Sequence, residues 1–152
     1  MPSKVCKLNP VEAAYIAAFW DSEGTIGIWK ATRKDRPRSI YFRVGMTAGN
    51  TNLELLESVR HDIGAGTIYT ENRKNPKHKT LYRLVISQGF ARDVLPQLIP
   101  YLRAKRMQAE LALQMLGTKT RNDGRRGITD EVWENQAALY KECAPLNQRG
   151  IQ

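Results

Sequence analysis

Two hydrophobic periods take turns along this chain. The segment from Pro10 to Trp20 is apolar and thin-sided, with Ala13, Ala14, Ala17 and Ala18 among its residues. Asn9-Pro10 followed by Glu12 supplies an N-cap, a proline at the first helical position and a capping box, so a helix over 10–20 is predicted. The period then shifts from helical to two. Thr25 to Ala31 reads as a short strand and Arg38 to Thr47 as a longer one. In the longer strand Ile40, Phe42, Val44 and Met46 share one face, and Ser39, Tyr41, Arg43, Gly45 and Thr47 share the other. Asn52 to Ile63 returns to helical spacing through Leu53, Leu56 and Val59, and Gly64-Ala65-Gly66 ends it.

A second strand pair follows, Thr67 to Glu71 and Thr80 to Ser87, with Tyr82, Leu84 and Ile86 alternating against Arg83, Val85 and Ser87. Phe90 to Leu102 reads as a helix interrupted near Pro96 and Pro100. Ala109 to Leu116 and Asp130 to Cys143 read as further helices, joined by a basic linker over 117–127 and followed by a tail from Pro145. Residues 1–9 read as an arm carrying Lys4 and Lys7. The order is two helix–strand–strand blocks and then helices. That order predicts an α+β fold whose antiparallel sheet has helices on one face and a solvated face opposite.

Composition narrows the class. A chain of 152 residues with 41% hydrophobic content fits one globular domain. No apolar run approaches the ~20 residues of a membrane span, and the N-terminus lacks a signal-peptide core, so an intracellular protein is expected. Cys6 and Cys143 form no metal-ligand pattern, and free thiols are expected. The net charge of +9 points to a polyanionic partner.

The positive charge gathers at the two hairpins. Arg33, Lys34, Arg36, Arg38 and Arg43 belong to the first; Arg73, Lys74, Lys77, Lys79 and Arg83 belong to the second. A two-stranded ribbon fits the DNA major groove, where period-two side chains reach base edges and loop-tip cations meet phosphates. Trp29, Ser39, Tyr41, Thr47 and Tyr69 are expected DNA contacts on the same surface. Against this stands an acid pair, Asp21 and Glu23, where the first helix ends and its macrodipole disfavours negative charge. Carboxylates at the centre of a DNA-binding face call for a cation, and Mg²⁺ takes one or two carboxylates together with phosphate oxygens and waters. Acids, metal and a basic cradle outline a nuclease.

The stretch Ile16-Ala-Ala-Phe-Trp-Asp-Ser-Glu-Gly24 resembles the nine-residue signature of the LAGLIDADG homing endonucleases. Asp62-Ile-Gly-Ala-Gly66 resembles the family's turn before the third strand, and Leu98 to Ala109 resembles its segment entering a late helix. The resemblance covers about residues 10–116. It implies an αββαββα core with a saddle-shaped sheet facing DNA, in a single domain over 1–152 that ends in a C-terminal helical extension from 117. One signature copy implies a homodimer packed through Ala14, Ala17 and Ala18. The implied activity is an intron-encoded, metal-dependent double-strand break at a long, near-palindromic site. Glu23 matches the metal-binding carboxylate, with Glu where Asp is usual, and the Ser22 carbonyl is a further metal ligand. Asp21 supports the helix end, and Lys105 matches a basic residue near the scissile phosphate. Mg²⁺ is the implied cofactor; Mn²⁺ is expected to substitute, and Ca²⁺ to bind without supporting cleavage. The family's water-positioning residue falls on Ala48, which has no polar group, so Asn50, Thr47 or Asn52 is expected to stand in.

Two other classes fit less of the sequence. An RNA-splicing maturase or a non-catalytic DNA-binding protein of the same fold would tolerate Ala48 but has no need of both acids. A structural RNA-binding protein would need no metal and show no preference for one duplex sequence.

Overall fold

The computed structural model describes residues 4–35, 40–71, 76–119 and 127–147. The expected DNA contacts at Arg36, Arg38, Ser39, Arg73 and Lys74 lie outside the described residues. The elements run α1 (Pro10–Glu23), β1 (Gly24–Thr32), β2 (Ile40–Asn50), α2 (Leu53–Ile63), β3 (Thr67–Glu71), β4 (Leu81–Ile86) and α3 (Gln88–Leu98). A 3₁₀ turn (Ile99–Tyr101), α4 (Arg106–Gly117), α5 (Asp130–Cys143) and a second 3₁₀ turn (Ala144–Asn147) complete the order.

The strands form one antiparallel sheet in the order β1-β2-β4-β3. Ile26, Ile28, Phe42, Val44, Met46, Ala48, Leu84 and Ile86 are buried on its inner face against Ile16, Trp20, Leu56, Leu95, Leu98 and Met115 from the helices. This is the α+β arrangement that the two periods predict. The opposite face carries Thr25, Trp29, Tyr41, Arg43, Thr47, Tyr69 and Arg83 by strand alternation.

Helix α1 starts where its sequence directs. The Asn9 side chain accepts from the Glu12 N–H at 2.8 Å, and Glu12 accepts from the Asn9 N–H at 3.3 Å. Such a cap is worth about 1 kcal/mol. The helix does not stop at Trp20 as expected, but continues through both acids to Glu23. The extra turn has visible causes: Ser22 Oγ donates back to the carbonyls of Ala18 and Phe19, and the Gly24 N–H donates to Trp20 O. The chain then turns directly into β1. A Cβ at Gly24 would overlap the buried Trp20 indole, so only glycine lets the strand leave so close to the helix.

Other boundaries also move. Strand β2 runs on to Asn50, because Met46 to Asn50 pair with β4, the last two of them beyond the end of the β1 ladder at Ala48. Pro96 lies inside α3, and Pro100 falls in the 3₁₀ turn that ends that segment. Helix α4 begins at Arg106, three residues before Ala109. The arm is docked: Leu8 is buried, its N–H donates to Gln97 Oε1 at 2.7 Å, and Cys6 N–H donates to Ile63 O at 2.7 Å. At the other end, Thr129 caps α5, its hydroxyl accepting the Val132 N–H at 3.2 Å. It packs beside α4 and against β1 and β2, with Phe42 against Trp133 and Tyr140. Among the described residues no helix is long and apolar enough to cross a membrane.

Candidate active site and nucleic-acid interface

The two acids of α1 have different surroundings. Asp21 is half-buried, and its carboxylate accepts the backbone N–H of Arg103 at 2.8 Å and of Lys105 at 3.0 Å. Lys105 returns the contact, its ammonium donating to the Asp21 carbonyl at 2.5 Å. A cation therefore sits at the negative end of the α1 dipole, where it is favourable. This answers part of the electrostatic problem posed by acids at a helix C-terminus: Asp21 ties α1 to the segment entering α4. Glu23, two residues on, is exposed, and its carboxylate has no hydrogen bond or ion pair among the described residues. Ser22 is exposed between them.

The register places the water-positioning question in space. Gly24 faces Ala48 across β1 and β2, and Ala48 is buried on the core side. Of the expected stand-ins, Asn50 accepts the Asn52 N–H at 2.8 Å, and Asn52 caps α2 by accepting the Leu55 N–H at 3.2 Å. Both side-chain oxygens are thus engaged in local turns. Thr47 lies on the open face directly opposite Thr25. Sequence inspection missed Thr25, because only the register reveals that the pair flanks the end of α1.

On the open face, Trp29 is 42% exposed and its ring lies across Gly45: a Cβ there would approach the ring to 3.0 Å. Gly45 and the facing Gly27 leave room for that indole beside Arg43, the cross-strand partner of Trp29. Toward the hairpin tip the Arg33 guanidinium stacks 4.4 Å above the Tyr41 ring, and Lys34 is exposed. In the other hairpin Lys77 and Lys79 are exposed, and Tyr69 is exposed opposite Arg83. Arg83 makes a two-pronged ion pair with Glu71 at 3.1 and 3.3 Å. Both side chains are about half exposed, so the pair is worth at most about 1 kcal/mol and is open to exchange for a phosphate.

The alanines of α1 divide. Ala17 is fully buried within the chain's own core, which corrects its expected place at a dimer interface. The helix turns 100° per residue, so Val11, Ala14, Tyr15, Ala18 and Ser22 form the outward stripe instead. Val11 is 79% and Tyr15 53% exposed. Beside this stripe an open groove of about 590 Å³ is lined by Ala14, Ala18, Asp21 and residues 100–103 and Arg106. Phe19 and Trp20 point the other way and belong to the core. Among the described residues no three His, Cys, Asp or Glu side chains cluster closely enough to hold a metal ion. Burial pushes the Cys143 thiol above its ordinary value of 9.0, opposed by a hydrogen bond with the Ile28 backbone.

No family model matches the chain. It is 29% identical over 110 residues to the DNA endonuclease I-CvuI of Chlorella vulgaris, a match spanning 71% of this chain and 65% of that protein. The structure of I-CvuI in complex with its target in the presence of calcium superposes with a TM-score of 0.77 at 24% identity, over 93% of this chain and 85% of that one. The archaeal intron-encoded homing endonuclease I-Vdi141I, complexed with DNA, superposes with a TM-score of 0.75 at 16% identity, over 93% and 87%. With the signature helix at its centre and the αββαββα order around it, the chain has the fold of the LAGLIDADG homing endonucleases.

Proposed function

We propose that this chain is a sequence-specific DNA endonuclease that acts as a homodimer and makes a metal-dependent double-strand break at a long, near-palindromic site. The observation that carries the reading is the contrast between the two acids. Asp21 is consumed in holding α1 against the α4 segment, whereas Glu23 is presented without a partner among the described residues, at the edge of a basic, aromatic-bearing sheet face. An exposed carboxylate repels DNA unless it serves a cation.

The donors suit Mg²⁺, which accepts few protein ligands and completes its shell with phosphate oxygens and water. Glu23 would hold it, with the Ser22 carbonyl as a second donor. When bound, the ion polarises the phosphodiester and steadies the leaving oxygen. The chain's own residues do the rest. The sheet face aligns the duplex, and Thr25 and Thr47 offer hydroxyls to order the attacking water. Lys105 brings positive charge close to the end of α1. Water adds its oxygen to phosphorus as it gives up a proton to solvent, the P–O bond to the leaving sugar oxygen breaks, and that oxygen takes a proton from solvent to leave as a hydroxyl.

Among the described residues no three His, Cys, Asp or Glu side chains gather at one place, and a second copy would add a second Glu23 to the site. A two-fold interface packs one patch against its own copy, and the stripe of Val11, Ala14, Tyr15 and Ala18 offers such a patch, with small alanines beside the exposed Val11 and Tyr15. A twin helix packed there would bring both Glu23 residues to a shared centre and cover the adjacent groove.

Incubation with a randomised duplex library tests the proposal. Cleavage of a narrow, near-palindromic sequence set with Mg²⁺, and binding without cleavage with Ca²⁺, is expected. Binding without cleavage in both ions would favour the non-catalytic reading, which the apolar Ala48 suits.

A further inference from the structure

Strand β2 pairs with β1 along its length, from Thr32↔Ile40 to Gly24↔Ala48, but with β4 only from Met46 to Asn50. Among the described residues, its outer half, 40–45, therefore has no strand on the β4 side. An isolated two-stranded ribbon is marginal and twists freely. Here the open edge is closed by side chains. The Val44 N–H donates to Gln88 Oε1 at 3.0 Å, Lys119 Nζ donates to Phe42 O at 2.7 Å, and Trp133 Nε1 donates to Ile40 O at 3.1 Å. Three successive even-numbered residues are thus met by the start of α3, the end of α4 and the first turn of α5. The far edge of the ribbon is closed as well, by Asn147 Nδ2 donating to Ile26 O at 2.9 Å.

We propose that Lys119 and Trp133 are positioning residues for DNA recognition: they clamp the outer half of β2 and set the height and twist at which the first hairpin meets the bases. The proposal rests on the endonuclease reading above. The end of α1 lies at the Gly24↔Ala48 end of the ribbon, and Arg33 lies beyond the Thr32↔Ile40 end. The clamped half therefore reads bases far from the cut. Those bases are where a small pivot moves side chains most. Gln88 grips nearer the base of the ribbon, so Lys119 and Trp133 have the longer lever.

The test uses the full chain with Lys119→Met, Trp133→Phe and, as rescue, Lys119→Arg. Trp133→Phe keeps an aromatic ring against Phe42 and removes the indole donor. Two readouts are taken: hydrogen exchange of residues 40–45 in the protein alone, and a cleavage-specificity profile across a substituted duplex with Mg²⁺. We expect about tenfold faster exchange in that segment for the Met and Phe variants. At positions distant from the cut, discrimination should fall about tenfold. Central positions and kcat on saturating cognate DNA should be unchanged, KM should rise, and Lys119→Arg should restore both readouts. Unchanged exchange in both variants overturns the clamp. Faster exchange with a loss spread evenly over all positions, or with no loss, overturns the role in recognition. A wild-type chain that neither binds nor cuts duplex DNA, while the variants still exchange faster, overturns the endonuclease reading and leaves the clamp standing.

Discussion

Asp21 and Lys105 hold each other at two points: the Asp21 carboxylate accepts the Lys105 backbone N–H at 3.0 Å, and the Lys105 ammonium reaches the Asp21 carbonyl at 2.5 Å. This latch joins the end of α1 to the start of α4. It engages one acid of the pair in architecture and leaves the other, Glu23, without a partner among the described residues.

The two acids should therefore differ in stability cost. Asp21→Asn leaves one of two backbone donors poorly met and removes a charge-assisted bond, at a cost of about 1–3 kcal/mol, or ~3–10 °C in Tm for a domain of this size. Glu23→Gln removes a charge from an exposed helix C-terminus and should shift stability by no more than about 0.5 kcal/mol, upward if at all. Thermal melts of both variants check this; equal losses would remove the distinction.

Two glycines of the site should separate core from recognition. Gly24→Ala drives a methyl into the buried Trp20 indole and should destabilise by about 1–3 kcal/mol. Gly45→Ala presses on the exposed Trp29 ring, which has room to move. It should leave Tm within about 2 °C yet weaken and re-target DNA binding. Denaturation curves read beside DNA titrations distinguish the two.

Charge on the sheet face should tune affinity in both directions. Lys34→Ala and Lys79→Ala should each lower the slope of log K against log salt by about 0.9, as loss of one phosphate contact requires. Glu71→Gln should tighten binding, because it removes a negative charge from the face and frees Arg83. Its stability cost should stay under about 1 kcal/mol. Weaker binding by Glu71→Gln would mean that Arg83 needs its partner to be held in place.

Cys143 predicts an alkaline effect. Its folded thiol is raised above the ordinary 9.0, so the folded state retains its proton where the unfolded chain loses it. Its contribution is fully present below that ordinary value and lost as pH rises toward the folded value. Cys143→Ala should flatten the fall of Tm above about pH 9 relative to the parent, although the lost side chain lowers Tm at neutral pH. A parallel pair of Tm–pH curves would contradict it.

Much of the fold is legible in the residues, because the local signals agree with the final packing. Asn9, Pro10 and Glu12 mark the start of α1, Thr129 marks the start of α5, and the even positions of β2 from Ile40 to Met46 mark the core face. The misses are tertiary. What ties down the end of α1 is not local, because the partners of the Asp21 carboxylate lie 82 and 84 residues away. The small-residue pattern of α1 cannot tell Ala17 from Ala18; only packing turns one inward and leaves the other exposed. Ala48 has no polar group, and its register partner is what directs attention to Thr25 and Thr47. The apparent tail does not hang free to Asn147, since Asn147 closes the edge of β1.

The central claim is that Glu23 holds the metal that cuts DNA. The most direct measurement compares the parent and Glu23→Gln on the parent's selected site, scoring cleavage in Mg²⁺ and binding in Ca²⁺. The account predicts that Glu23→Gln loses cleavage by at least about a thousandfold, the scale of a lost metal contribution, while DNA affinity stays the same or rises. Persistent Mg²⁺-dependent cutting by Glu23→Gln at the parent's rate would contradict it.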